Sequence, residues 1–129
     1  MKQITKEWII SAEDDLEAAR ALASQERLSH LAAFHCQQCI EKAFKAVVEE
    51  EDFGFLKSHD LLRLKDLVGI TLDAGAQFIL EVINEVYIDA RYPGEFGLLP
   101  NGKPSLKEVG SFISISEYIL NLVFKRISA

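Results

Sequence analysis

Residues 28–48 read LSHLAAFHCQQCIEKAFKAVV. The stretch holds neither glycine nor proline. Its apolar residues Leu28, Leu31, Ala32, Ala43, Phe44, Val47 and Val48 fall at helical spacing on more than one side. An apolar surface that wraps around a helix predicts a central one, over about 27–50. The acidic run Glu49–Asp52, followed by Phe53 and Gly54, ends it. Acid at a helix C-terminus opposes the dipole, so its last turn is expected to fray.

Outward from this segment the chain continues as helices. Trp8, Ala12, Leu16, Ala19 and Leu22/Ala23 make one apolar stripe and predict a helix over about 5–24. Thr5 is its candidate N-cap, and Glu13, Asp14, Asp15 and Glu17 are read as its charged outer face. A short helix over about 59–68 has Ser58 as candidate cap and Gly69 as stop. A fourth, about 72–90, carries Ala76, Ile79, Val82/Ile83 and Val86. The fifth, about 105–127, opens on Ser105 and Glu108 at capping-box spacing. Leu106, Val109, Ile113, Ser116, Leu120, Val123 and Ile127 form its inner stripe. The expectation is an all-α, up-and-down bundle of four to five helices forming a single domain over 1–129. All three prolines, Pro93, Pro100 and Pro104, fall within 91–104, RYPGEFGLLPNGKP, the one long loop. Such loops are often functional, or else plain connectors.

The chain has 129 residues, 49% hydrophobic and 26% charged, with net charge −6. A chain of this length buries roughly two-thirds of its unfolded surface, enough for a core without staples. The acidic balance argues against a broadly basic nucleic-acid coat or a polybasic membrane binder, although a small local basic site remains compatible. Two cysteines are too few for a disulfide scaffold and suggest a reducing compartment. The start MKQITKEWII lacks the apolar run of a signal peptide, and no run approaches the roughly 20 residues of a membrane span.

Several constellations invite chemistry. His35-Cys36-Gln37-Gln38-Cys39 contains a C-x-x-C, but mid-helix and outside any βαβ unit; small cysteines packed in a core are the simpler account. Gln38, Lys42 and Lys45 stand at i, i+4 and i+7 with Glu41 beside them. They form either a solvated face or a groove suited to an anion such as phosphate. His59, in Lys57-Ser58-His59-Asp60, opens a helix and is a weak candidate for acid–base work. Tyr87, Arg91 and Tyr92 sit at the exit of helix four, where an arginine between tyrosines suits phosphate contact and base stacking, or a helix C-terminal cation and rim packing. Nucleotide P-loops, Rossmann fingerprints, HExxH and GxSxG are all absent from the sequence. No metal or cofactor is expected.

Taken in order, Trp8, Asp14-Asp15-Leu16, Phe34-His35-Cys36-Gln37-Gln38-Cys39-Ile40-Glu41-Lys42-Ala43-Phe44-Lys45-Ala46, Ser58-His59-Asp60-Leu61 and Ala90-Arg91-Tyr92-Pro93 resemble the HEPN family, the higher eukaryotes and prokaryotes nucleotide-binding domain. The resemblance spans about 8–93. It implies a helical bundle that usually homodimerises, in a small cytosolic protein often paired with a minimal nucleotidyltransferase in a toxin–antitoxin-like system. Many members are metal-independent ribonucleases with an R-x(4–6)-H motif. Counted from Arg91, the histidine should stand at 96–98, where this chain has Phe96, Gly97 and Leu98. Arginine cannot shuttle protons near neutral pH, so the usual nuclease apparatus is incomplete.

The expected site is therefore one for nucleotide or RNA phosphate, comprising Gln38, Lys42, Lys45, Arg91 and Tyr92. A degenerate ribonuclease using His59 and Arg91 and a purely structural interaction partner are the alternatives. Phe112, Ile119 and Phe124 on helix five, with Ile9 and Ile10 on helix one, extend the apolar surface and suggest a dimer face.

Overall fold

A computed structural model describes residues 1–54, 57–90 and 102–129, with the backbone alone for 87–90. Five helices run over Gln3–Leu22 (α1), Ser29–Glu50 (α2, preceded by a 3₁₀ turn at Glu26–Leu28), Leu61–Val68 (α3), Ala74–Ala90 (α4) and Leu106–Ser128 (α5). No strand occurs among the described residues. The bundle is all-α, as the periodicity predicts.

Local chemistry sets the helix ends, and in two places differs from expectation. Thr5 lies inside α1 rather than capping it; its hydroxyl donates to Glu50 Oε1 at 2.9 Å. Asp60, not Ser58, caps α3, accepting from the amides of Leu62 and Arg63. Ser58 Oγ instead accepts from the Asp60 amide. Asp has the shorter path to the N2 and N3 amides once the chain turns at residue 60. Gly69 ends α3 in the left-handed conformation, φ 73°. Asp73 accepts from the Ala76 amide at the start of α4. Ser105 and Glu108 form the expected capping box on α5.

The acidic end of α2 is pinned rather than frayed. Lys2 donates its backbone amide to Glu50 and its ammonium to the Glu49 carbonyl and to Asp52. Arg126 of α5 holds Glu51 through both carboxylate oxygens, at 2.7 and 2.8 Å, and donates to the Val68 carbonyl. Cations from two neighbouring segments thus offset the unfavourable dipole.

As the sequence implied, α2 is central. α1, α3, α4 and α5 all pack on it, and one cluster of buried apolar side chains joins all five helices around Ile40, Phe44 and Val47. α1 and α3 lie on α2 while making little or no contact with each other. That leaves a cleft whose floor is one face of α2. The proposed apolar dimer surface does not survive as a unit. Ile9, Phe112 and Ile119 are buried in the core, and only Ile10 and Phe124 stay exposed. A periodic stripe read from one helix alone underestimates how much of that helix its neighbours cover.

Candidate functional site

The cleft holds two buried carboxylates, one from α1 and one from α2, each flanked by one lysine and one histidine. Asp15, on α1, receives Lys42 Nζ at 2.7 Å on one oxygen and lies 2.9 Å from His35 Nδ1 on the other. Glu41, on α2, receives Lys45 Nζ at 2.7 Å on one oxygen; its other oxygen meets His59 Nδ1 at 3.0 Å and Gln37 Nε2 at 3.2 Å. Gln37 also donates to the His59 backbone carbonyl and accepts from Gln38 Nε2 at 2.7 Å. Lys45 sits 5.6 Å above the Trp8 ring, within cation–π range.

Helix geometry accounts for this layout. Gln37, Glu41 and Lys45 are successive i+4 neighbours on α2, and Gln38 and Lys42 repeat the spacing one residue on. Asp15 follows Ala12 by three residues and precedes Ala19 by four, so it belongs to the inner stripe of α1. It is buried, contrary to the expectation of an outer-face acid. Glu41 is 3% exposed. Burial pushes its carboxyl up, but hydrogen bonds from Lys45, Gln37 and His59 outweigh this and hold it below the ordinary value of 4.5. It is thus an anion at neutral pH.

Of the expected site residues, the structure brings Gln38, Lys42 and Lys45 together on the cleft floor, all half-buried, with the more exposed His59 on the loop before α3. Arg91 and Tyr92 lie outside the described residues, as do the side chains of Tyr87 and Asp89. Cys36 and Cys39 are fully buried, and burial pushes both thiols up to about 12, so both are neutral. His35 is engaged by Asp15. Among the described residues no group of His, Cys, Asp and Glu is placed to hold a metal, and no helix is long and apolar enough to cross a membrane. Sequence reasoning passed over Asp15 and Gln37 as site residues. The signal was present in each case: a polar residue on an inner stripe must find a partner.

The helical arrangement is shared with known proteins. The HEPN domain family model matches residues 5–127, nearly the whole chain. The chain belongs to the HEPN family. Its fold is similar to the crystal structure of ST0689, an archaeal HEPN homologue: 29% identity, 98% of this chain and 99% of that one covered, TM-score 0.73. It is also similar to TT1696 from Thermus thermophilus, with 18% identity, 96% and 98% coverage and TM-score 0.72; at that identity only the fold is informative. No curated protein matches. Within this HEPN chain the cleft is the one place where the described cations of α2 converge with both carboxylate-held histidines. The two carboxylates balance the two ammoniums, so the cleft is a hydrogen-bonding surface of nearly neutral charge and not a strongly basic patch.

Proposed function

We propose that this chain is a single HEPN domain spanning 1–129 that binds nucleotide or RNA phosphate in the α1–α3 cleft. It acts as a cytoplasmic homodimer and partners a minimal nucleotidyltransferase in a toxin–antitoxin-like pair. The observation that carries the binding reading is the pair of half-buried ammoniums, Lys42 and Lys45, fixed on one helix face beside Gln38. Each ammonium has three N–H donors, and its carboxylate partner engages one side only. A phosphate oxygen can therefore bind without breaking either ion pair. Arg91 would add a bidentate fork and Tyr92 a stacking face. Family membership supports the dimer and the partner; both are carried from the family and not from the cleft.

Isothermal titration with a panel of nucleotides and short RNA tests the site. Wild type is expected to bind, and Lys42→Ala and Arg91→Ala each to weaken binding. Asp15→Asn removes the competing carboxylate and should tighten binding roughly tenfold, the worth of about one charged hydrogen bond. Absent binding, or binding indifferent to all three substitutions, would overturn the site.

One observation favours a second reading, a metal-independent ribonuclease. The carboxylate of Glu41 holds His59 at Nδ1, as acid–base imidazoles are commonly oriented. Labelled RNA incubated in EDTA should then be cut by wild type and spared by His59→Ala. Cleavage surviving that substitution removes His59 from the mechanism.

A further inference from the structure

The start of α2 is built differently from the cleft at its middle. Leu28 stands at the cap position and offers no side-chain acceptor, and no acid occupies the first turn. The positive end of the helix dipole therefore has no carboxylate of its own. Cations gather there instead. Arg27, in the 3₁₀ turn, and Lys103, in the segment before α5, are both exposed, and Lys103 Nζ donates to the Arg27 carbonyl at 2.6 Å. Among the described residues neither side chain makes an ion pair, although the chain as a whole carries net charge −6. The half-buried His30 feels the same surroundings. Burial, Lys103 and Arg27, in that order, push its imidazole below the ordinary 6.5, and no described carboxylate opposes them.

Two polar atoms at this end lack partners. Ser29, the first residue of α2, is fully buried, and its Oγ makes no hydrogen bond; neither does the buried Nδ1 of His30, the next residue. Helical side chains lean toward the N-terminus, so both lean to the end where Arg27 and Lys103 stand. Buried hydroxyls and ring nitrogens are normally paired. A tetrahedral oxyanion satisfies all four groups at once. Its oxygens accept from the guanidinium, the ammonium and the hydroxyl, and from the imidazole once that is protonated.

We propose that Arg27, Ser29, His30 and Lys103, at the amino-terminal end of α2, form a binding site for terminal phosphate, either the free ion or a monoester. Two fixed positive charges match a phosphate dianion, whereas an internal diester carries a single negative charge. The bound dianion favours the imidazolium form of His30, which then adds a donor. Oγ of Ser29 and Nδ1 of His30 are closed to water, so the ion enters as the exposed side chains of Arg27 and Lys103 swing onto it. Ser29 precedes Lys42 by 13 residues on α2, roughly 20 Å of helix. One phosphate cannot occupy both places, and this site stands or falls independently of the cleft.

A nuclear magnetic resonance titration of the isotopically labelled full chain with inorganic phosphate tests this. It is run at about pH 7.5, where the dianion is abundant, against sodium chloride at matched ionic strength. Saturable shifts are expected at the His30 ring and at the amides of Ser29 to Leu31, and the titration midpoint of His30 should rise at saturation. Arg27→Ala and Lys103→Ala should each weaken binding roughly tenfold, the worth of one charged hydrogen bond. Both residues are exposed, so the helical signal should stay at its wild-type level. Lys42→Ala should leave these shifts unchanged, which separates them from any binding in the cleft. Adenosine 5′-monophosphate that competes for the same shifts assigns the site to phosphate monoesters, and failure to compete assigns it to the free ion; either supports it. A dinucleoside monophosphate, whose one phosphate is a diester, should bind at least roughly tenfold more weakly. Equal binding of the diester would overturn the match to a dianion. Shifts that chloride reproduces, that never saturate, or that survive Arg27→Ala combined with Lys103→Ala would overturn the site.

Discussion

Replacing Glu41 with alanine is expected to lower the thermal midpoint by roughly 10 °C, about 3 kcal/mol for a chain of this size. The size of the effect follows from what the carboxylate holds. Three donors, Lys45, His59 and Gln37, converge on it, and through Gln37 it also steadies the loop before α3. Removing it strands those donors in a region of low polarity, which costs more than the pair itself is worth. Lys45 retains some access to water, which places the estimate at the lower end for a buried pair. Glu41→Gln, which keeps the acceptor but loses the charge, should cost about half as much.

The acid dependence has a definite sign. The folded state holds the Glu41 carboxyl below its ordinary 4.5, so the folded chain takes up this proton less readily than the unfolded one. Its contribution is fully present above that value and is lost as pH falls through the lower folded one. Melts followed by circular dichroism from about pH 3 to pH 7 should show this acid limb in wild type and a flatter one in Glu41→Gln. Equal acid limbs in the two proteins would refute the assignment.

The second large effect belongs to the core. Phe44 is fully buried on α2. Phe44→Ala removes a ring and leaves a cavity that four packed helices around α2 cannot readily close, for a loss of about 4 kcal/mol. That is a large part of the roughly 5–15 kcal/mol typical of a domain. Urea unfolding should show an earlier midpoint at an unchanged slope. Ile10→Ala provides the contrast, since that side chain is exposed; its midpoint should stay near wild type. A small loss at Phe44 would mean that the core closes around the gap.

Much of this architecture was legible because helical periodicity is a local property. Each of the five helices announces itself by apolar spacing, and the capping box at Ser105 and the stop at Gly69 need only a few neighbours to be read. What escaped depends on contacts far apart in the chain. Thr5 has the composition of a cap, yet its hydroxyl serves Glu50 across 45 positions. Asp15 looks like one of four surface acids until α2 arrives to bury it against Lys42 and His35. The fraying expected at the acidic end of α2 was sound for an isolated helix and failed once Lys2 and Arg126 closed over it. The site divides in the same way. Gln38, Lys42 and Lys45 are readable as a stripe, whereas the two carboxylates that set their electrostatics lie on the packed side of each helix.

The two buried cysteines give the molecule a chemical clock. Cys36 lies against Ser116 of α5, while Cys39 lies near Asp15 and Arg20 of α1. Both thiols are neutral and sealed, so an alkylating reagent reaches each one only when the interface above it parts. Both cysteines belong to one core cluster, so their rate of modification reports how often the helices packed on α2 open.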